Sequence, residues 1–243
     1  MLSLQEELSS LVVGQPSHFR NLTVFPLIRP EHTGTESDYL LLDDGISSGL
    51  VHVAELQASG IVPELRLENK ADKPVLLLNG EELLGAKQNR VLNLTILAPS
   101  NCVIVIPVSC VEAGRWRMNT PDFQPAGHVM YSEARAEQIS QVTKSMRASG
   151  APSSDQESVW RNIAAKAARL KSVSPTGAMS DIYRSHTASV EGFVRAFSCQ
   201  EQQSGAAFCI GGRFIGLDVF DCPKVNEEDL TETSAKLRAG CPG

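Results

Sequence analysis

The stretch PVLLLNGEELLGAKQNRVLNLTILAP, residues 74–99, places a block of long polar side chains between two apolar segments. The first segment stops at Asn79-Gly80, a dipeptide typical of a turn, and the second begins at Val91. The block contains carboxylates, cations and amides: Glu81, Glu82, Lys87, Gln88, Asn89 and Arg90. A solvent-exposed loop explains this pattern, and so does a ligand site at the ends of two buried strands.

The flanking segments belong to a longer series of short apolar runs. Over residues 20–118 these runs are bounded by Gly, Pro, Asn and Asp, which predicts β-strands. Apolar and polar residues alternate over 91–97, and an Ala-Pro-Ser-Asn turn separates this run from an apolar run over 102–110. We therefore expect two adjacent antiparallel strands, with residues 89–91 opposite about 109–111. Strands at this spacing favour an antiparallel sandwich or a barrel-like sheet.

The second half of the chain has a different pattern. Residues 119–128 are polar and proline-bearing, which indicates a linker or loop. Helical periodicity dominates 128–198, and a hairpin with a Gly-Gly turn is predicted over 205–221. The final hairpin is expected to pair with the sheet of the first half. The predicted fold class is α+β, and residues 1–243 are expected to form a single domain.

Three helices are predicted from the spacing of apolar residues, and the run DIYRSHTASVEGFVRAF, residues 181–197, is predicted to add one or two more helical pieces. A short one covers residues 3–13, and a second covers 132–149 with Ala134, Ile139 and Val142 on its apolar face. The third covers about 155–171, where Ser154 and Glu157 resemble a capping box. Its apolar stripe is expected to pack on the sheet: Val159, Ile163, Ala167 and Leu170.

Charge and composition narrow the classes of partner. The formal net charge is −6, and Lys and Arg are scattered, whereas binding to a phosphate backbone needs a clustered basic face. No apolar run approaches the ~20 residues that span a bilayer. The N-terminal segment carries Glu6 and Glu7 and no basic region, which is not typical of a secretion signal. We therefore expect no nucleic-acid partner, no membrane partner and a cytoplasmic location.

The six cysteines contain no Cys-x-x-Cys pair, and the five histidines lie far apart in the sequence. The chain therefore lacks the clustered spacing of a zinc site, and we predict no metal ligands. The cofactor, if there is one, is not indicated. Most of the cysteines are interpreted as small buried residues.

A second polar group follows the run 102–110. Cys110 and Glu112 share one strand parity, and Arg115 and Trp116 come just after the strand. The predicted hairpin brings this group beside the first polar block, so one pocket is expected. In it Glu81 and Glu112 are candidate acid-base catalysts and Cys110 a candidate nucleophile. The candidate ligand-binding residues, for an anionic small molecule, are Lys87, Gln88, Asn89, Arg90, Arg115 and Trp116.

Ordinary structural roles explain the same residues. A cysteine that ends an apolar strand is usually part of the core, and adjacent opposite charges are often solvated ion pairs. A tryptophan is more often a packing residue than a stacking platform. The density of polar groups at two strand ends is what favours a site.

Four segments carry a resemblance to a known family: LLLNGEELLGAKQNRVLN (76–93), VIPVSCVEAGRW (105–116), VWRNIAAKAARLKSVSPTGAMSDIY (159–183) and CIGGRFIGLDVFD (209–221). Together they resemble the bacterial and archaeal ARPP family, the ARG- and rhodanese-phosphatase-superfamily-associated protein domain, over about residues 10–222. The family's motif positions fall on Gly80, Glu81, Gly85, Lys87, Gln88, Asn89, Arg90, Cys110, Glu112, Gly114, Arg115, Trp116, Gly211, Gly212, Gly216, Asp218 and Asp221.

The resemblance implies a function only by analogy. The family name records association with ADP-ribosylglycohydrolase-like and phosphatase-like proteins, which suggests processing of a phosphorylated or nucleotide-like small molecule. The alternative is a non-catalytic ligand-sensing or protein-interaction module that uses the same polar pocket. Family members usually continue after the hairpin into another helical segment, so the apolar-poor residues 223–243 are expected to be a shortened or divergent tail.

Overall fold

The structure is a computed structural model, and it describes three ranges of the chain: residues 4–30, 37–57 and 62–221. The chain forms two compact units. Within the described ranges, the terminal unit comprises residues 4–30, 37 and 188–221, and the central unit comprises residues 38–57 and 62–187. In chain order the elements within the described residues are α1 (Leu4–Ser9), β1 (Val12–Val13), β2 (Ser17–Phe19), β3 (Leu22–Ile28), β4 (Leu40–Leu41), α2 (Leu42–Ser47), β5 (Val51–Glu55), β6 (Glu64–Asn69), β7 (Val75–Leu77), β8 (Glu81–Gly85), β9 (Arg90–Leu92), β10 (Ile96–Ala98), β11 (Cys102–Cys110), β12 (Phe123–Val129), α3 (Ser132–Ser149), α4 (Gln156–Leu170), α5 (Met179–Ser185), α6 (Thr187–Val194), β13 (Gln203–Ile210) and β14 (Arg213–Val219).

The central unit contains a six-stranded antiparallel sheet in the order β12-β8-β9-β11-β6-β5. Its two outer strands approach each other, because Ala54 on β5 forms an isolated bridge with Asp122 just before β12. The sheet is therefore barrel-like. Alternation along the strands turns one apolar face inward, and every strand contributes to the interior core. The interior core of the six strands consists of Val51, Val53, Leu65, Leu67, Leu83, Leu92, Ile106, Val108 and Phe123.

A second, smaller sheet completes this core. Its order is β10-β7-β4, with β10 antiparallel and β4 parallel to β7. Leu42 and Ile46 of α2 pack into the same core as Val75, Leu77 and Ala98 of the small sheet.

Helices α3, α4 and α5 cover the opposite face of the large sheet. Val91 of β9 and Val111, which follows β11, form a second core with them. The predicted stripe of α4 packs there, with Val159 and Ile163 buried and Ala167 and Leu170 partly buried. The helices thus bury the side of β9 that faces away from the barrel interior.

The terminal unit contains an antiparallel sheet in the order β1-β3-β13-β14, with β2 also paired to β3. Phe208 of β13 and Leu22 of β3 pack with Val190 and Phe193 of α6 in a third core. The closing hairpin pairs with β3, a strand of the first half, as the sequence predicts.

The predicted α+β class is confirmed, with an antiparallel β-rich first half, helices in the second half and a closing hairpin. The predicted pairing of strand ends is also confirmed, because Arg90 lies opposite Cys110 and Val91 opposite Ser109. The continuous strand predicted over 91–97 is wrong. It breaks after Leu92, and residues 96–98 pair with β7 instead.

Several element boundaries differ from the expected ones. Helix α1 ends at Ser9 and is followed by β1, so the predicted helix over 3–13 is too long. The predicted loop over 119–128 contains most of β12, because its backbone pairs with β8. The run DYLLLDD, residues 38–44, is one of the short runs over 20–118 predicted as strands, and it yields only β4 before α2 begins. The polar residues and prolines of residues 119–128 do not predict a strand. Pairing with the neighbouring strand β8 outweighs this local propensity.

The caps and faces of two helices also differ. Asp155, one residue after Ser154, is the N-cap of α4, and its carboxylate accepts hydrogen bonds from the backbone N–H groups of Glu157 and Ser158. In α3, Ile139 is exposed and Gln138 is buried, so the apolar face predicted through Ile139 is wrong there. An amide network holds Gln138 in its buried position, since its side chain bonds to those of Asn79 and Asn93.

Among the described residues, no helix is both long and apolar enough to cross a membrane. The tail predicted over 223–243, with Cys241, and Cys222 just before it lie outside the described residues. Whether residues 1–243 behave as a single domain stays a prediction.

Candidate functional site at the polar end of the barrel

Strand pairing brings several polar side chains to one end of the barrel interior. Arg90 lies two residues before Leu92, and Cys110 two residues after Val108, so both share the inward-facing side of their strands. Glu55, the last residue of β5, likewise continues the inward side of that strand. The Arg90 cluster, as it is called below, consists of Glu55, Lys87, Gln88, Arg90, Cys110 and Trp116.

The guanidinium of Arg90 is the centre of this cluster and is fully buried. Its Nη1 donates to the backbone oxygen of Gln88 at 2.9 Å, and its Nη2 lies 3.6 Å from Glu55 Oε1. Within the described part of the chain, Arg90 Nε, Arg90 Nη2 and Glu55 Oε2 are buried without a hydrogen-bond partner. Burial lowers the pKa of Arg90, and the nearby Cys110 and Glu55 act against that shift. The cluster therefore holds a buried charge whose hydrogen bonds are incomplete.

Trp116 and Lys87 form the outer side of the Arg90 cluster. The Lys87 Nζ lies 5.4 Å from the centroid of the Trp116 ring, and Arg90 Cζ lies 5.8 Å from it. Both distances suit cation-π contacts. The side chain of Trp116 is 49% exposed, whereas Arg90 is fully buried. Trp116 therefore lies between solvent and the buried guanidinium.

Cys110 lies beside Arg90, yet its thiol is not a resting thiolate. Burial raises the pKa of Cys110 to about 11, although Arg90 acts in the opposite direction. Its Sγ lies 2.9 Å from Gln88 Oε1, to which the thiol donates. A nucleophilic role for Cys110 stays a prediction, and the raised pKa argues against an activated thiol in this state.

A second guanidinium, that of Arg115, is bonded much more completely. It donates to the backbone oxygen of Ala86 at 2.7 Å, to that of Gly85 at 3.2 Å and to Asn89 Oδ1 at 3.1 Å. Its Nε and Nη2 both contact Glu112 Oε2, at 2.9 and 2.7 Å. The Arg115 cluster is defined as Asn89, Glu112, Arg115 and Thr176 with the carbonyls of residues 85 and 86.

Glu112 is fully engaged in the Arg115 cluster. Oε2 also accepts from the backbone N–H of Asn89 at 3.1 Å, and Oε1 accepts from Thr176 Oγ1 at 2.7 Å. Burial acts to raise the pKa of Glu112, but the hydrogen bonds from Arg115, Thr176 and Asn89 together outweigh it, so the pKa is lowered. Hydrogen bonds to both carboxylate oxygens thus stabilise the charged form of Glu112. The acid-base role predicted for Glu112 stays a prediction.

Gly85 is required where Arg115 meets the strand end. Its φ is +136°, and a Cβ there would lie 2.7 Å from Thr120 Oγ1 and 2.8 Å from the carbonyl oxygen of Asp122. Only glycine fits this conformation and this close approach. The Gly-Ala step thereby presents two carbonyls to Arg115.

A buried carboxylate–imidazole pair lies on the other face of the sheet. His128 Nε2 lies 2.6 Å from Glu82 Oε2, and the imidazole stacks on Tyr183 at a centroid distance of 3.9 Å. Glu82 Oε1 accepts a weak bond from Asn89 Nδ2, which also donates to Ser180 Oγ. His128 is absent from the predicted site, because residues 119–128 are predicted to be a loop, in which a surface histidine is expected. The sequence does carry one signal: the parity of Glu82 is opposite to that of the inward-facing Leu83, which places Glu82 on the other face of the sheet.

The structure brings most of the predicted site residues together, but in two clusters on two sides of β9. Lys87, Gln88, Arg90, Cys110 and Trp116 meet around the barrel end, and Asn89, Glu112 and Arg115 meet beside it. Glu81 lies elsewhere, at the start of β8, where its Oε2 accepts from the backbone N–H of Leu78 at 2.7 Å. Its catalytic role stays a prediction.

The described residues contain no group of three or more His, Cys, Asp and Glu side chains placed to hold a metal ion.

Fold and site together define a domain with a small β-barrel, a helical cover on one face and a polar cluster at one barrel end. The family model for the ARG and Rhodanese-Phosphatase-superfamily-associated Protein domain matches residues 10–233, so the chain belongs to the ARPP-1 family. A search of curated proteins and a search of solved structures each found no significant match.

Proposed function

We propose that the domain binds a small anionic molecule, of the phosphorylated or nucleotide-like kind, at the Arg90 cluster. The observation that carries the proposal is the fully buried Arg90 guanidinium, whose Nε and Nη2 have no hydrogen-bond partner among the described residues. Buried polar groups are nearly always hydrogen-bonded, and an unsatisfied charged donor costs several kcal/mol at most sites. An anionic ligand supplies the acceptors that Arg90 lacks.

The neighbouring carboxylate does not fulfil this role. Glu55 Oε1 lies 3.6 Å from Arg90 Nη2 and 3.4 Å from the backbone nitrogen of Lys87, both long for charge-assisted bonds. In contrast, the Arg115–Glu112 contacts are 2.7 and 2.9 Å. Of the guanidinium groups of Arg90 and Arg115, that of Arg90 is therefore the one with nitrogens left to bond a ligand.

Lys87 and Trp116 suit the outer part of such a ligand. An ammonium binds phosphate as a point charge, and an indole ring offers a face for stacking on a base or a sugar. The name of the family records association with a rhodanese-phosphatase superfamily. That association supports a phosphorylated ligand by analogy alone.

Fluorescence titration tests the proposal, because the chain has two tryptophans and Trp160→Phe leaves Trp116 as the reporter. Inorganic phosphate and ribose 5-phosphate are expected to change the Trp116 emission, whereas ribose is not. Lys87→Met is expected to weaken binding by about 10–100-fold, the loss of one hydrogen bond to a charged group. Lys144→Met, which removes an exposed lysine of α3, is the matched control.

The proposal is wrong if neither phosphate compound binds at millimolar concentration. It is also wrong if Lys87→Met and Lys144→Met bind alike, since Lys87 would then lie outside the site. Thermal melts of both variants establish that the fold is intact.

Catalysis at the Glu82–His128 pair is the second candidate function. The observation that favours it is the 2.6 Å contact of His128 Nε2 with Glu82 Oε2, an arrangement that orients an imidazole for acid-base chemistry. Phosphate release from para-nitrophenyl phosphate is the simplest assay. Turnover that is lost in His128→Asn would assign the base to this pair. Turnover that survives in Glu81→Gln and Glu112→Gln would exclude the acid-base pair predicted from the sequence.

A further inference from the structure

The geometry points to a ligand that carries a hydroxyl group close to its anionic group, as a sugar or polyol phosphate does. We infer that Glu55 and Arg90 together recognise this hydroxyl. The inference rests on the proposed function, because the anionic part of the ligand is assigned there to Lys87 and Arg90. It adds recognition of a neutral hydroxyl group of the ligand, and it makes Glu55 the residue that determines specificity for that hydroxyl.

The inference rests on the buried atoms of Arg90 and Glu55 that have no hydrogen-bond partner. Within the described ranges the cluster has two buried donors without a partner, Arg90 Nε and Nη2, and one buried acceptor without a partner, Glu55 Oε2. The two residues face each other, with 3.6 Å between Nη2 and Oε1. A hydroxyl that bridges the two residues donates to Glu55 Oε2 and accepts from one nitrogen of Arg90, which leaves the other nitrogen for the anionic group.

Other simple groups match less well. A carboxylate or a fully ionised phosphate without a neighbouring hydroxyl satisfies the donors of Arg90 but gives Glu55 Oε2 no donor. An ammonium satisfies Glu55 but adds a donor beside the unsatisfied nitrogens of Arg90. The hydroxyl therefore belongs beside Glu55, and the anionic group binds the remaining nitrogen of Arg90 together with Lys87, near the half-exposed Trp116.

The contacts of Glu55 show that its carboxylate has capacity for a ligand. Its contact with the backbone nitrogen of Lys87 is 3.4 Å, whereas Glu112 accepts four contacts of 2.7–3.1 Å from Arg115, Thr176 and Asn89. Sites that bond a hydroxyl with buried polar groups reject the analogue that lacks it, because those groups are then left unpaired. Strong discrimination is therefore expected here.

Two matched pairs of probes test the inference: glycerol 3-phosphate against propyl phosphate, and AMP against its 2′,3′-dideoxy analogue. Each pair keeps the phosphate and removes hydroxyls. With the Trp160→Phe protein, binding of at least one hydroxylated probe is expected to be about 10-fold or more tighter than that of its partner. Glu55→Leu is expected to bring that ratio close to one while phosphate binding is retained, because Arg90 and Lys87 remain.

Controls separate specificity from folding. Glu64→Leu removes an exposed carboxylate at the start of β6 and is expected to keep the wild-type ratio. If Glu55→Leu does not fold, Glu55→Gln keeps the shape and removes the charge, and the ratio is expected to fall at least threefold.

The outcomes distinguish this inference from the proposed function. If all phosphate probes bind but hydroxylated and deoxygenated partners bind equally, the anion site stands and the hydroxyl inference is overturned; the unsatisfied atoms then bond water only. An unchanged ratio in both Glu55 variants also overturns it. If no phosphate probe binds, the proposed function fails and the inference fails with it.

Discussion

Two arginines, Arg90 and Arg115, lie at the same end of one barrel, and their surroundings differ sharply. Arg115 bonds to Glu112, to Asn89 and to the carbonyls of Gly85 and Ala86. Arg90 is more deeply buried, yet two of its nitrogens have no hydrogen-bond partner in the described residues.

The difference indicates two kinds of polar cluster. The Arg115 cluster uses both carboxylate oxygens of Glu112 and links Gly85 and Ala86 to Thr176, so it stabilises the fold. The Arg90 cluster leaves donors and an acceptor unpaired beside a half-exposed tryptophan, an arrangement that costs stability in the unliganded protein. Functional sites are where proteins depart from full satisfaction of polar groups.

The largest expected effect comes from breaking the saturated cluster. Arg115→Met is expected to lower the free energy of unfolding by about 3–5 kcal/mol, because Glu112 is left as a buried charge without its main partner. Denaturant unfolding measures the change. Arg161→Met on α4, which breaks an exposed ion pair, is the control and is expected to cost less than about 1 kcal/mol. Equal costs for the two variants would show that the Arg115 contacts contribute no more than surface ion pairs.

A smaller effect is expected when the Arg90–Glu55 pair is replaced as a unit. Arg90→Met combined with Glu55→Leu is expected to leave the stability unchanged or raise it by about 1–4 kcal/mol, as for other buried ion pairs exchanged for apolar residues. The corresponding exchange of Arg115 and Glu112 is expected to destabilise, because the carbonyls of Gly85 and Ala86 lose their donor. If both double exchanges destabilise equally, Arg90 is structural and the contrast between the clusters disappears.

The lowered pKa of Glu112 predicts a pH dependence. A carboxyl group whose pKa is lower in the folded than in the unfolded chain stabilises the fold above its ordinary value of 4.5, and this stabilisation is lost as the pH falls through the folded value. Stability measured by chemical denaturation is therefore expected to decline below about pH 4.5. Glu112→Gln is expected to flatten that decline, and an unchanged slope in the variant would contradict the assignment.

The smallest effect concerns Cys110, whose pKa is raised to about 11 by burial. Iodoacetamide labelling followed by peptide mass spectrometry is expected to modify Cys110 far more slowly at pH 8 than the partly exposed Cys102, Cys199 and Cys209. Labelling of Cys110 as fast as that of Cys102 would mean that the thiol is reactive and would restore the nucleophile hypothesis.

The candidate site could be predicted from the sequence to the extent that strand parity governs it. The pairing of Arg90 with Cys110 follows from alternation and from the position of the turn, and it is confirmed. Parity places Glu55 on the same side of its strand as Val51 and Val53, but nothing in the run VHVAEL shows that this strand end lies beside Arg90. His128 was missed for a similar reason, because the backbone pairing that makes β12 a strand comes from β8, 40 or so residues earlier in the chain.

Local sequence therefore determined the fold class, the helix α4 with its apolar stripe, the closing hairpin and the register of β9 against β11. These features depend on periodicity and on turn residues that act over a few positions. Only the tertiary structure decided which polar groups are satisfied. Whether Arg90 or Arg115 bonds its neighbours depends on where β5, the Gly85-Ala86 turn and Thr176 lie in space, and hydrogen bonds require a match of tenths of an ångström that sequence spacing does not specify.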